Sequence, residues 1–346
     1  MYQFLNDYSE GCLPEVLEAL TRTNLKSTPG YGTDEYCAKA REAIQARFAC
    51  PDAAVHFLVG GTQTNFTAIS AFLRPWEAVI AAKTAHIYVH ETGAVEARGH
   101  KVYCVDAPDG KLTPTLIRGA VKDHQLGVDE HMVLPRMVYI SESTELGTVY
   151  TKDELTAIHD TCKELDLILY IDGARLGSAL TCGVTGLACE DLPKLCDAFY
   201  IGGTKNGLLF GEALVIVNPA LQPYFRNMIK QNGGMFAKGR LMGVQFGTMI
   251  ENDLWLIYAK HANEMAKRIS DGLVAAGFPL FAQSPTNQVF TVMSHSEADL
   301  LSKSFGFELN DHYDEEHEVY RFVTSWATTE EAVEALCAAL LKLHAD

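Results

Sequence analysis

Between about residue 55 and residue 217, short apolar runs alternate with stretches whose apolar residues recur at helical spacing. A strand that passes through a helix into a second strand comes back parallel to the first. This alternation therefore predicts an α/β chain with a mostly parallel sheet and helices on both faces. The strands are read at Val55–Val59, Val79–Ala82, Val102–Val105, Pro135–Ser141, Leu167–Ile171, Ala198–Ile201 and Glu212–Val217. Ahead of them, Pro14 opens a helix to Arg22 and another runs from Glu35 to Phe48. A further helix is expected to start at Ala85-His-Ile-Tyr, and Thr151-Lys-Asp-Glu154 is a capping box for the next. Past residue 217 the pattern changes. Met228–Met242 reads as irregular, and a long helix follows near Asp253 with Trp255, Ala259, Ala262, Ala266, Ile269 and Leu273 on one face. Two strands, Gln288–Met293 and Val319–Thr324, precede a last helix capped by Thr328-Thr-Glu-Glu331. The domain expectation is an N-terminal arm over 1–20, a large domain over 21–252 and a small α+β domain over 253–346.

Chemistry concentrates at the strand ends. Ala198–Ile201 runs into Gly202-Gly-Thr-Lys205, and Leu167–Ile171 runs into Asp172-Gly-Ala-Arg175. Ligands bind at the carboxyl ends of strands in an open α/β sheet. Each residue alone reads as a surface lysine or a capping aspartate. Together they suggest pyridoxal phosphate, with the lysine as Schiff base and the aspartate on the pyridinium nitrogen. Gly60-Gly-Thr-Gln-Thr-Asn65 joins a strand to a helix. Free N–H groups at a helix start bind anions, and Thr62 can add a hydroxyl; the same residues also read as a capped turn. His86, in the first turn of its helix, can stack on a planar cofactor. Ser27–Asp34 is a turn-rich loop carrying Tyr31.

The net charge of −16 argues against nucleic acid or an anionic membrane as partner. No apolar run approaches the roughly 20 residues of a membrane span. The start, Met-Tyr-Gln-Phe-Leu-Asn-Asp, lacks the basic and apolar regions of a signal peptide. The nine cysteines form no Cys-x-x-Cys pair and no metal pattern, and they read as reduced thiols in a cytoplasmic protein.

The chain resembles the threonine aldolase family of pyridoxal-phosphate enzymes, of fold type I, in the branch that includes phenylserine aldolases. The resemblance rests on Tyr-Gly-Thr-Asp-Glu at 31–35, Gly-Gly-Thr-Gln-Thr-Asn at 60–65, Ala-His-Ile-Tyr at 85–88, Ile-Asp-Gly-Ala-Arg at 171–175, Gly-Thr-Lys-Asn-Gly at 203–207 and Arg-Phe-Val-Thr-Ser at 321–325. It implies a seven-stranded, mostly parallel sheet with a smaller C-terminal domain. The implied activity is cleavage of a β-hydroxy-α-amino acid to glycine and an aldehyde, in a dimer or tetramer whose sites lie at the subunit interface. The same scaffold also serves β-elimination, racemisation and transamination, and a non-catalytic scaffold keeping the fold is a third reading. The resemblance implies that Lys205 bonds the cofactor, Asp172 pairs with the ring nitrogen and Arg175 approaches the ring hydroxyl. Gly61, Thr62 and Thr204 would hold the phosphate, with Lys238 reaching in from a neighbouring chain. His86 would stack on the ring, and Arg321 would grip the substrate carboxylate, with Asn6 and Tyr31 as further substrate contacts. The family often has Ser-Asp-Thr where this chain has Asn6-Asp7-Tyr8, and a histidine where it has Glu145. The candidates for the β-hydroxyl base are His86, Glu145, a phosphate-bound water and Lys205.

Overall fold

The computed structural model describes residues 2–124 and 129–343. Seven strands form the central sheet: β1 (Ala54–Leu58), β2 (Glu77–Ala82), β3 (Lys101–Val105), β4 (Leu134–Ser141), β5 (Ile168–Asp172), β6 (Ala198–Gly202) and β7 (Glu212–Ile216). Their order is β1-β7-β6-β5-β4-β2-β3, and β7 alone runs against its neighbours. The carboxyl ends of β1, β4, β5 and β6 and the start of β7 therefore share one edge, as expected of ligand sites in such sheets.

Strand side chains alternate between two cores. Ile80, Val138, Ile140, Leu169, Ile171, Phe199 and Ile201 pack on one face with Ile44, Phe48, Ile158 and Trp255. Val79, Met137, Tyr139, Ile168, Tyr170 and Tyr200 pack on the other with Ile69, Phe72, Val95, Phe225 and Ile229. Burial on both faces explains why these strands read as unbroken apolar runs. The capping box at Thr151 forms, with Thr151 accepting from the Glu154 amide and Glu154 reaching back.

Three expectations are corrected. The helix begun at Ala85 is one turn, His86–Val89, because Thr92 (φ 53°) and Gly93 (φ 68°) turn the chain left-handed just beyond. The segment read as irregular, Met228–Met242, is so only over residues 232–239; its ends belong to two helices, Phe225–Gln231 and Arg240–Glu251. The second carries Gly243, where a Cβ would sit 2.3 Å from the Cys37 amide nitrogen, so the glycine that weakens the helix signal is what lets the helix reach its neighbour Glu35–Arg47. The last helix, Glu330–Leu343, starts with Thr329 accepting from the Ala332 amide, not with Thr328.

The long helix Leu254–Ala275 buries Trp255, Ala259, Ala262, Ala266, Ile269 and Leu273, the face read from the sequence. Beyond it lies an antiparallel sheet of β8 (Gln288–Ser294), β9 (Glu308–His312) and β10 (His317–Val323), in the order β9-β10-β8. Its core of Ile269, Leu273, Met293, Phe322, Val333 and Leu336 takes in Phe4 from the other end of the chain. Tyr2–Gln3 pair in parallel with Phe305–Gly306, and the Phe4 carbonyl accepts from the Val323 amide at 2.8 Å. Among the described residues no helix is long and apolar enough to cross a membrane.

Candidate active site

A cavity of about 310 Å³ opens at the shared strand edge. Its walls include Tyr8, Gly60, Gly61, Thr62, His86, Glu145, Asp172, Arg175, Thr204, Lys205 and Glu212. Eight of the residues singled out in the sequence, Gly61, Thr62, His86, Glu145, Asp172, Arg175, Thr204 and Lys205, thus meet in one space.

Asp172 ends β5 and is 4% exposed. Four donors converge on its carboxylate: the Tyr200 hydroxyl and Ala174 amide on Oδ1 at 2.5 and 3.0 Å, and the Tyr139 hydroxyl and Asn65 Nδ2 on Oδ2 at 2.5 and 3.0 Å. Burial alone would raise its pKa. The charge of His86 and the bonds from Tyr139, Tyr200 and Asn65 outweigh that, and the carboxyl titrates below its ordinary value. The donor set continues outward. Asn65 also donates to Glu91 at 2.8 Å, and Glu91 bonds His86 Nδ1 at 2.7 Å, so a chain of polar groups joins Asp172 to His86.

Lys205 sits in a turn, Thr204–Asn206, directly after β6. The approach is tight: a Cβ on Gly202 would lie 2.2 Å from the Ala174 carbonyl oxygen. Burial lowers the Lys205 pKa, helped by the Arg175 guanidinium, so the amine is easier to deprotonate than an exposed lysine. Arg175 is clasped by Asp7, with Nε to Oδ2 at 2.7 Å and Nη2 to Oδ1 at 3.1 Å. Asn287 donates to the same Asp7 at 2.9 Å.

At the other end of the cavity the helix Gly61–Phe72 begins with no side-chain cap at Gly60. Its first amides are unclaimed at the cavity wall, an arrangement suited to an anion. Glu145 lies across from it, its Oε1 accepting from the Ser141 hydroxyl at 2.6 Å and the His86 amide at 2.9 Å. Burial raises its pKa against those hydrogen bonds.

Four candidates lie elsewhere. Asn6 accepts from the Tyr8 amide and the Ser9 hydroxyl, both at 3.0 Å, and it is Tyr8 that borders the cavity. Arg321, on β10, pairs with Glu308 and donates to Gln288 at 3.2 Å. It stands near enough to act, with Lys205, on His90. Tyr31 is half exposed, with Lys230 over its ring and Arg226 on its carbonyl. Lys238 is exposed in the loop before the helix Arg240–Glu251.

The comparisons with known proteins agree with this geometry. A family model described as beta-eliminating lyase matches residues 3–296. The low specificity L-threonine aldolase of Pseudomonas aeruginosa is 35% identical over 340 residues, 96% of this chain and 95% of that one. The chain belongs to the threonine aldolase family of β-eliminating lyases. A solved structure of Leishmania major threonine aldolase superposes with a TM-score of 0.97 at 45% identity, covering 100% of both chains. Thermus thermophilus aspartate aminotransferase, at 15% identity and a TM-score of 0.73, shares the fold. The enzyme is thus a lyase of fold type I with pyridoxal 5′-phosphate as cofactor. The residues present fit that group: an uncapped helix start for its phosphate, an ionised buried carboxylate for its ring nitrogen, and a lysine in the same cavity.

Several members of this constellation gave no sequence signal. Asp7 is distant in the chain from Arg175, and Glu91, Tyr139, Tyr200 and Glu212 looked like ordinary helix or strand residues.

Proposed function

We propose that this lyase cleaves a β-hydroxy-α-amino acid of the L-threonine, L-allo-threonine or L-phenylserine type by retro-aldol reaction, giving glycine and an aldehyde. The observation that carries the reading is the Asp172 carboxylate, kept ionised by four donors in the cavity that also holds Lys205. The chemistry the cofactor supplies when bound is a sink for the electron pair left on the α-carbon, and a protonated ring nitrogen deepens that sink. Asp172 keeps that proton in place. Lys205 holds the cofactor, Gly61, Thr62 and Thr204 hold its phosphate, and Arg175, fixed by Asp7, faces the ring hydroxyl. His86 is steadied by Glu91 and lies against the ring. Arg321 orients the substrate through its carboxylate, so that the bond to be broken stands across the ring plane. Asn6 and Tyr31 are secondary substrate contacts in this reading.

The test is an assay of the three substrates with detection of aldehyde and glycine. Ammonia with 2-oxobutanoate from the threonines, or with phenylpyruvate from phenylserine, would mean β-elimination on the same scaffold.

For the β-hydroxyl proton we assign Glu145. Its raised pKa brings it nearer the working range of a base. Glu145→Gln keeps an oxygen for the Ser141 and His86 donors and removes only the proton acceptor. Turnover should fall about 10²-fold or more, the lower end of general-base effects, with KM little changed and the threo/erythro ratio shifted. Unchanged kinetics on both diastereomers would pass the role to His86.

The chain is further proposed to be a cytoplasmic homo-oligomer, dimer or tetramer, with an arm over 1–20, a large domain over 21–252 and a small domain over 253–346. Tyr31 and Lys238 lie apart from their own cavity and are exposed, which suits residues that complete the site of a second copy. Sedimentation at assay concentration should show no active monomer; full activity in a monomer would refute the shared site.

A further inference from the structure

Glu212 opens β7, is 4% exposed and lines the cavity beside Thr204. Its Oε2 accepts from the Gly203 amide at 3.0 Å, and its Oε1 lies 3.0 Å from the Thr204 hydroxyl. The Thr204 hydroxyl already accepts from the Gly211 amide at 3.0 Å. A hydroxyl has one hydrogen to give. If Glu212 is ionised, that hydrogen must go to Glu212 Oε1 and is lost to any ligand. If Glu212 carries a proton on Oε1, the carboxyl donates instead, and Thr204 is free to turn its hydrogen into the cavity.

The charges around Glu212 bear on which state prevails. Lys205 is the nearest cation, and it is the residue that covalent attachment of the cofactor engages. Asp172 faces it from β5 as a second anion, Tyr170 and Tyr200 approach it as neutral hydroxyls, and β1 sets Leu58 opposite it. A phosphate in the same cavity would add a further anion at close range in a buried setting. Burial and the Asp172 charge favour the neutral acid; the Gly203 and Thr204 hydrogen bonds and the Lys205 charge favour the carboxylate, and burial outweighs them.

The geometry points to Glu212 as a positioning residue for the cofactor phosphate: as a neutral acid it donates to the Thr204 hydroxyl and frees that hydroxyl to bond the phosphate, and as a carboxylate it takes the hydrogen back. The inference rests on the reading that Gly61, Thr62 and Thr204 hold the phosphate. Burial pushes the Glu212 pKa up to about 8, which sets the pH at which the change should be seen.

The apoprotein would be titrated with pyridoxal phosphate and, separately, with pyridoxal, following absorbance from pH 7 to pH 9.5. The phosphate is a dianion throughout that range, since its second pKa is about 6. The preference for the phosphorylated ligand should shrink by about tenfold per pH unit above about 8, because binding then requires proton uptake. In Glu212→Gln the amide is a permanent donor to Thr204, and the preference should be flat over the same range. A flat preference in the wild type, or the same decline in Glu212→Gln, overturns the proposal. Should that variant fail to fold, the wild-type comparison of the two ligands decides alone. Thr204→Ala separates the underlying reading: a preference left intact at pH 7 means that Thr204 does not hold the phosphate, whatever Glu212 does.

Discussion

Replacing Lys205 with alanine should remove the visible absorption of the purified protein and lower turnover by on the order of 10⁴-fold or more, the scale seen when a covalently acting residue is lost. Amines attack carbonyls in the neutral form, and burial together with the Arg175 guanidinium shifts Lys205 toward that form. Among the described residues no other lysine lines the cavity, and the Arg175 guanidinium is held by Asp7 through two hydrogen bonds. Borohydride treatment of the wild type followed by peptide mapping should find the cofactor on Lys205. A label on another lysine, or a coloured and active Lys205→Ala protein, would sink the assignment.

The second large effect is expected from Asp172→Asn. The amide is nearly isosteric, so the cofactor should still attach and the fold should survive. What is lost is the negative charge proposed to keep a proton on the ring nitrogen. Removing one preorganised electrostatic partner from an active site typically costs about 10²–10³ in turnover. The Tyr139 and Tyr200 hydroxyls can rotate to accept from the new amide, and the one N–H donor that loses its acceptor, the Ala174 amide or Asn65 Nδ2, costs about 1–3 kcal/mol. The measurement is turnover alongside the cofactor's absorbance. Turnover within a few-fold of wild type, with the absorbance retained, would show that the charge at position 172 is not needed.

Both predictions rest on residues that were legible because backbone and side chain gave the same message. Lys205 and Asp172 follow apolar runs that read as strands, and the two charges at successive strand ends said together what neither said alone. The seven strands and the capped helix at Thr151 were legible for the same reason. Tyr139 and Tyr200 were not. Within a strand buried on both faces, period-two alternation does not say which hydroxyl meets a carboxylate on the neighbouring strand. Asp7 meets Arg175 by tertiary packing alone, and Glu308 meets Arg321 by the register of β9 against β10, a strand not read from the sequence. The helix Arg240–Glu251 was hidden by Gly243, a residue chosen for close approach at the expense of local propensity. Glu212 was read as the first residue of a strand, which it is; that β7 runs antiparallel, and so delivers its first residue to the cavity, is a fact of topology.

The chain's opening residues make a strap. Tyr2–Gln3 lie along Phe305–Gly306, Phe4 donates its amide to the Gly306 carbonyl and accepts at its carbonyl from Val323 of the C-terminal sheet, and three residues later Asp7 grips Arg175 at the cavity wall. The span from Phe4 to Asp7 is too short to carry slack. A shear of the C-terminal sheet away from the central one would be felt at Arg175 as tension, with no intermediate helix to absorb it. The strap therefore acts as a strain gauge between the two sheets: it ties the clasp on the Arg175 guanidinium at the cavity wall to the seating of the far end of the molecule.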